Sequence, residues 1–397
     1  MRIVTAVVVL SLVTACTPTV PETDPASSFM EGPTGDTLAD DPGTIPGDPV
    51  PTTAVTTPAD EAAEPDLTLQ VEGLSPFLPI AVGPGAVVSY SPPEIAVHTE
   101  SGTTTVDVAA VAPQIGEFFD VSSIVWWNGQ FWAFLVGDVS TEVGVASALT
   151  SPDGVTWERV EIGAAARGAR LPGAFATPDV PQYEGASGVQ AAAATDDRLV
   201  VGGWTRTEAG VQPVVWVTED GQTWSVETPP STADRAMAVR IASGAEDVLV
   251  HVLGPFYFGQ DLYLLSGGEP IDVSLVGEQF VTDVVSSGDG FVMSTSAFGG
   301  PPTGLWEWDG SAWQSIAPPD IAARSGDGSE IEPYRITGSE HGAVVSGDRQ
   351  VALRTDGAWT RLGSVRGSIL DASVVGDQVT LLSLEGDDLH VTALPLP

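Results

Sequence analysis

Ser151-Pro152-Asp153-Gly154-Val155-Thr156-Trp157 and Thr218-Glu219-Asp220-Gly221-Gln222-Thr223-Trp224 are two copies of one short pattern in a chain of 397 residues. Each joins two short apolar runs, and each makes physical sense as a tight turn. The Asp carboxylate accepts hydrogen bonds from backbone N–H groups two residues on, and the Gly supplies the positive φ that a hairpin needs. The Trp opens the outgoing strand, where its ring can wedge between neighbouring sheets. Shorter relatives stand at Asp309-Gly310-Ser311-Ala312-Trp313 and Thr355-Asp356-Gly357-Ala358-Trp359. Thr99-Glu100-Ser101-Gly102-Thr103-Thr104-Thr105 keeps the Gly and loses the Asp and Trp; Ser266-Gly267-Gly268 is fainter still. Around these turns, from Leu67 onward, apolar runs of four to eight residues rich in Val, Ile, Trp and Thr alternate with Gly, Asp and Pro. That texture predicts an all-β fold built from a repeat.

A second marker falls between the copies. Gly83-Pro84-Gly85, Asn128-Gly129, Asp196-Asp197, Glu246-Asp247, Asp289-Gly290, His341-Gly342 and Asp377-Gln378 each separate two apolar runs. Each reads as the hairpin between the first and second strands of a four-stranded unit, mostly at the spacing of about 40 to 50 residues that such a unit needs. The second unit shows all four strands, at 123–127, 131–136, 145–150 and 156–162. The last hairpins, ending at 389–394, leave room for only three strands, and 67–71 can supply the fourth. Closing the ring in this way removes exposed sheet edges.

The turn motifs resemble the Asp-box, or BNR, repeat (S-x-D-x-G-x-T-W), here in a shortened S-x-D-G-x-T-W spacing. That repeat occurs in sialidase-like β-propellers between the third and fourth strands of a blade. The resemblance implies a structural role for Asp153, Gly154, Trp157, Asp220, Gly221, Trp224, Asp309, Gly310, Trp313, Asp356, Gly357 and Trp359. The expected fold is therefore a β-propeller of seven four-stranded antiparallel blades over residues 67–397, closed by the N-terminal strand, with six or eight blades as the alternatives.

The N-terminus reads differently. Arg2 is followed by an apolar run from Val4 to Val13, too short for a membrane span and right for a signal peptide. The run ends in Val13-Thr14-Ala15-Cys16, which resembles the lipobox of bacterial lipoproteins, and Cys16 is the only cysteine of the chain. The resemblance implies cleavage after residue 15 and lipidation of Cys16, hence a bacterial, extracytoplasmic protein anchored to the membrane by lipid. Several acyl chains on one Cys make a stable anchor, at ~0.8 kcal/mol per buried methylene. Residues 16–66 contain Pro, Thr, Ala and acids in bulk and no basic residue, which predicts a disordered spacer. Fifty such residues reach on the order of 40 Å.

Composition then excludes partners. The chain has 53 Asp and Glu against 14 basic residues, all Arg, for a net charge of −39. Residues 67–397 alone hold 42 acids and 13 Arg, a net of −29. A field of this sign repels phosphate, so no nucleic-acid partner is expected. A single Cys excludes a disulfide scaffold, and 44 Gly with 32 Pro disfavour helical bundles.

Sialidases hold a carboxylate with three arginines and use a Tyr–Glu nucleophile pair and an Asp acid. Tyr334-Arg335-Ile336-Thr337 is similar to their F/Y-R-I-P motif, but Thr replaces Pro and three of the turn motifs precede it. No catalytic residue is assigned on that basis. His98, His251, His341 and His390 are widely spaced, and the acidic runs 326–330 and 385–388 lack the ligand spacing of a calcium loop, so neither metal nor cofactor is expected. What remains is the loop surface. The inter-blade loop 163–185 carries Arg167, Arg170 and Tyr183, and the strand-two-to-three loops carry Phe256, Tyr257, Phe258 and Phe298. In an acidic chain without Lys these are the candidate binding residues, for an unknown protein or glycan. The expected function is a binding or scaffolding module with a monomeric head; the alternatives are a sialidase-like glycoside hydrolase and an assembly factor for an envelope or membrane complex. Convergence of Arg167, Arg170, Arg206 and Arg335 on one pocket would mark the enzyme.

Overall fold

The computed structural model describes residues 62–71, 79–112, 120–136, 146–162, 170–171, 182–183, 187–195, 197–208, 210–229, 237–244, 247–253, 260–267, 270–271, 279–288, 290–297, 302–321, 334–339, 341–375 and 377–397. Strand β1 (Leu67–Gln70) comes first. The first blade is β2 (Ile80–Gly83), β3 (Ala86–Ser91), β4 (Glu94–Thr99) and β5 (Gly102–Asp107), followed by the single turn α1 (Val108–Val111). The second is β6 (Asp120–Trp127), β7 (Gln130–Val136), β8 (Ser147–Ser151) and β9 (Glu158–Glu161). A two-stranded ribbon, β10 (Arg170–Leu171) with β11 (Gln182–Tyr183), lies within the following connection. The third blade is β12 (Ser187–Ala194), β13 (Leu199–Thr207), β14 (Gly210–Thr218) and β15 (Ser225–Glu227); the fourth is β16 (Met237–Ser243), β17 (Val248–Leu253), β18 (Gln260–Leu264) and β19 (Pro270–Ile271). The fifth is β20 (Gln279–Ser287), β21 (Gly290–Ala297), β22 (Pro302–Trp308) and β23 (Trp313–Ile316); the sixth is β24 (Arg335–Ser339), β25 (Gly342–Ser346), β26 (Gln350–Thr355) and β27 (Ala358–Ser364). The last blade takes β28 (Ser368–Val375), β29 (Gln378–Glu385) and β30 (Asp388–Pro395) from the C-terminus, and β1 pairs antiparallel with β30 as its fourth strand. This is a seven-bladed propeller with N-terminal closure.

The core is distributed around the ring rather than gathered at one centre. Seven clusters of buried apolar side chains lie one at each blade-to-blade interface, including the seventh against the first, where Leu69, Val71, Leu370 and Leu389 meet Val87. Middle strands are covered on both faces, so they read as continuous apolar runs rather than as alternation. In β13, Leu199 and Val201 join the interface with the second blade, while Val200 between them joins the interface with the fourth. The chain ahead of β1 is also bonded to the ring. Ala63 bridges Val365, Asp66 accepts from the backbone N–H of Ala393 and Glu64 pairs with Arg366 at 2.7 Å, so the folded unit reaches back to Ala63.

The Asp-Gly turns at 153, 220, 309 and 356 each lie between the third and fourth strands of a blade. Asp153 Oδ1 accepts from the N–H groups of Val155 and Thr156, and Asp220 and Asp309 repeat the arrangement with Gln222 and Thr223, and with Ser311 and Ala312. These bonds favour the ionised form and hold all three carboxyls below the ordinary range, Asp220 and Asp309 at about 2. Gly154 and Gly221 are required twice over. Both have φ above +70°, and a Cβ on Gly221 would stand 2.8 Å from Trp132 of the preceding blade. These two turns thus dock the second and third blades on their predecessors, and Trp157, Trp224 and Trp313 sit in or against blade-to-blade interfaces. Asp356-Gly357 differs: Asp356 itself has φ +48° and Thr355 pairs Ala358, a two-residue hairpin whose geometry comes from the backbone rather than from the carboxylate. Trp359 still reaches the preceding blade, donating to Ala317 O at 2.8 Å.

Candidate functional site at the mouth of the central channel

The inner strands β6, β12, β16, β20 and β28 carry a bulge at Ser122, Gln190, Val239, Thr282 and Leu370, near the end where each strand begins. A bulge bends the strand and re-aims the residue that follows it. Four residues before the last backbone pair of each inner hairpin, the seven blades in order place Pro79, Ser123, Ala191, Arg240, Asp283, Arg335 and Asp371. Four successive blades therefore present Arg, Asp, Arg and Asp at one level of the ring. Arg240 Nη1 stands 3.8 Å from Asp283 Oδ1, and Arg335 Nη1 stands 3.7 Å from Asp371 Oδ1. Each pair joins neighbouring blades.

Two cavities meet this ring. A channel of about 310 Å³ is lined by inner-strand residues of all seven blades, among them Val82, Trp126, Ala193, Ala242, Val285, Gly338 and Ala372. A wider mouth of about 570 Å³ is lined by Pro79, Ile80, Asp120, Ser122, Ser123, Gln190, Arg335 and Asp371, with Val121, Ile124 and Val136. Burial raises the carboxyl of Asp371 to about 6 against the attraction of Arg335, and the nearby charge of Asp283 adds to the rise. Asp283 is raised in the same way, opposed by Arg240 and Arg335. On the neighbouring blade Tyr90 is pushed up by burial and by Asp120. Arg240 also faces the buried His251 across the ladder, and burial, then Arg240, hold that imidazole neutral at about 3.

The direction of the Asp371 shift fixes a pH dependence. The unfolded carboxyl loses its proton near pH 4, whereas the folded one keeps it to about 6. Between those values the native state holds more protons, so the contribution of this group to stability falls as pH rises from about 4 to about 6 and is level above. Asp371→Asn removes the effect. Urea unfolding is expected to show the variant gaining on the wild type by about 1 kcal/mol between pH 4 and pH 7, the figure discounted for a side chain that is one-third exposed. A variant that loses ground over that interval contradicts the assignment.

The residues picked from sequence fall mostly elsewhere. Arg167, Phe256, Tyr257, Phe258 and Phe298 lie outside the described residues, as does Cys16. The backbones of Arg170 and Tyr183 pair with each other in the β10–β11 ribbon. Arg335 lines the mouth, whereas Arg206 is on the second strand of the third blade and does not. Arg240, Asp283 and Asp371 were not singled out from sequence, although their common offset from seven recognised hairpins was there to find. Two of the histidines serve the fold: His98 bonds Ser89 and Thr103 within the first blade, and His390 bonds Thr68 of the closing strand. The run Glu385-Gly386-Asp387-Asp388 is the hairpin to which β1 attaches, with Gln70 donating to Asp388 and Val71 N–H to Asp387 O. No helix among the described residues is long and apolar enough to cross a membrane.

No family model and no curated protein matches the chain. Among solved structures it is similar to the β-propeller domain of the Trilobed protease from Pyrococcus furiosus, at 11% identity and a TM-score of 0.40 over 80% of this chain and 93% of that one. It is also similar to the N-terminal domain of Nup159, at 12% identity and a TM-score of 0.40 over 85% and 98%. A puromycin hydrolase matches at 11% identity and 0.44, over 77% of this chain and half of that one. At such identities and scores none of them carries an activity or a ligand across.

Proposed function

We propose that this chain is a lipid-anchored, extracytoplasmic binding propeller of the Asp-box kind, in which Cys16 holds the membrane, the residues between it and Ala63 act as the spacer, and the ring engages a protein or glycan partner without chemistry. One observation carries the choice of binding over hydrolysis: Arg240 and Arg335, at one level of the ring, are each set against an aspartate of the next blade, at 3.8 and 3.7 Å, and of the two only Arg335 lines the mouth. A site for a carboxylate substrate needs cations gathered together, and here they alternate with anions. The anchor is read from the Val13-Thr14-Ala15-Cys16 motif, and the binding role from a ring of four-stranded blades around a channel.

Two measurements test it. Cys16→Ser is expected to move the protein from the membrane to the soluble fraction; full retention on membranes refutes the anchor. The purified full chain, offered fluorogenic sialosides and other aryl glycosides, is expected to give no turnover above buffer. Turnover that Asp371→Asn abolishes would establish the hydrolase reading instead.

A further inference from the structure

We infer that the junction between the seventh blade and the first is a lateral gate into the central channel, with β1 as its latch. The gate belongs to the ring itself and does not depend on the anchor or on the partner proposed above.

Every other junction carries a fastening that this one lacks. Trp127 Nε1 donates to Thr195 O between the second and third blades, and Arg198 Nε to Ser243 Oγ between the third and fourth. Val281 N–H donates to Gln260 Oε1 between the fourth and fifth, and Thr337 Oγ1 to Ala372 O between the sixth and seventh. Arg354 joins the sixth blade to the fifth, donating from Nε and Nη2 to both oxygens of Glu307 at 2.9 and 2.7 Å. The second blade presses its Asp-Gly turn on the first, where a Cβ on Gly154 would stand 2.9 Å from Val97. Between the seventh blade and the first there is no hydrogen bond or ion pair among the described residues. Only the apolar cluster around Leu69, Leu389 and Val87 holds them together.

Two positions account for the difference. The hairpins between the third and fourth strands of the first and sixth blades share one register, pairing Thr99 with Gly102 and Thr355 with Ala358. His98 therefore stands where Arg354 stands, and Thr103 where Trp359 stands. Arg354 and Trp359 both reach back to the preceding blade, Trp359 by donating to Ala317 O. His98 and Thr103 instead bond each other at 2.9 Å, and the second ring nitrogen of His98 bonds Ser89 of the same blade. The hairpin does not press on the blade behind it either, since a Cβ on Gly102 would meet nothing within 4 Å.

The channel reaches into this seam. At six blades its walls are first-strand residues alone, whereas at the seventh they include Thr380 and Leu382 of β29. Leu382 faces the first blade: it joins the cluster with Val87, while its neighbour Leu381 joins the cluster with the sixth blade. The chain passes from the seventh blade to the first by way of β1. What holds β1 on β30 is a ladder of four residue pairs, with Asp66 Oδ2 accepting from Ala393 N–H at one end and Val71 N–H donating to Asp387 O at the other. An outer strand paired along one edge opens at lower cost than the strands inside a blade. When β1 leaves β30 it takes Leu69 and Val71 out of the cluster, and the seam loses part of its only fastening.

Thiol labelling tests the gate, because Cys16 is the only cysteine of the chain. In the full-length protein carrying Cys16→Ser, Val87→Cys and Val88→Cys are compared for their rates of reaction with a maleimide under native conditions. Val87 and Val88 are neighbours on β3, both 0% exposed, one facing the seventh blade and the other the second. Val87→Cys is expected to react at least about tenfold faster than Val88→Cys. Asp66→Ala unfastens one end of β1 without touching the cluster, and is expected to raise the rate of Val87→Cys by about threefold or more while leaving Val88→Cys unchanged. Equal rates at the two positions overturn the gate. An effect of Asp66→Ala that is absent, or equal at both positions, overturns the latch. Leu389→Cys against Leu381→Cys makes the same comparison from the seventh blade, which keeps the outcome readable if a valine variant fails to fold. Loss of the membrane anchor or discovery of a hydrolase activity leaves these outcomes unchanged.

Discussion

Leu69→Asp is expected to open the ring, at a cost on the order of 4 kcal/mol or more. Leu69 is 3% exposed and pairs Leu389 across the β1–β30 ladder. It belongs to the cluster in which the seventh blade meets Val87 of the first. The substitution removes a buried isobutyl group and places a carboxylate in an apolar interface with no cation beside it, and each effect alone costs about 2–5 kcal/mol. The consequence goes beyond local loss. Without β1 the last blade has three strands and β30 becomes an unpaired edge, a template for pairing with another chain. Urea unfolding is expected to show a lower midpoint, and size-exclusion chromatography higher-order species. A monomer with an unchanged midpoint would show that the N-terminal strand adds nothing to closure. Thr68→Val, on the same strand but at a side chain that only bonds His390, should shift the midpoint far less.

The second large effect is expected at Glu307. Arg354 is held by both Glu307 oxygens, donates from Nη1 to Gly357 O at 3.0 Å and lies 5.4 Å from the Trp359 ring centroid. Glu307→Leu leaves this guanidinium buried without its counter-charge, for a loss of about 3 kcal/mol. Pairing it with Arg354→Met removes the stranded charge and fills the space with an apolar chain, so the double variant should recover most of the loss. Equilibrium unfolding of the wild type, both single variants and the double variant closes the cycle. If the double variant loses as much as the two single losses added together, the two residues are not coupled and the blade-five-to-six junction rests on packing alone.

Much of the architecture was legible in the sequence because propeller blades are made by local signals. Asn128-Gly129 reads as a hairpin since its turn needs positive φ at both central residues, and the structure has +48° and +78° there. The Asp carboxylate turns read as turns since their acceptors and donors lie two and three residues apart. Even closure was visible, from a count of strands that came out one short at the C-terminus. Asp356 shows the limit of the motif: the same Asp-Gly letters form a different hairpin when the strands before and after them are separated by two residues only.

The channel mouth was not legible, and the reason is distance along the chain. Arg240, Asp283, Arg335 and Asp371 are separated by 43, 52 and 36 residues, irregular intervals set by connections of unequal length. Nothing adjacent to any of them marks it, whereas the Arg- and aromatic-bearing loops attract attention by composition alone. Fold class, repeat and closure follow from the sequence by itself, because each depends on turns and alternation within a few residues, whereas the choice of seven blades over six or eight is made by the strand pairing. Only the tertiary structure decides which charges face each other, because that depends on the inner-strand bulges and on a ring that brings blade six beside blade seven and blade seven against blade one.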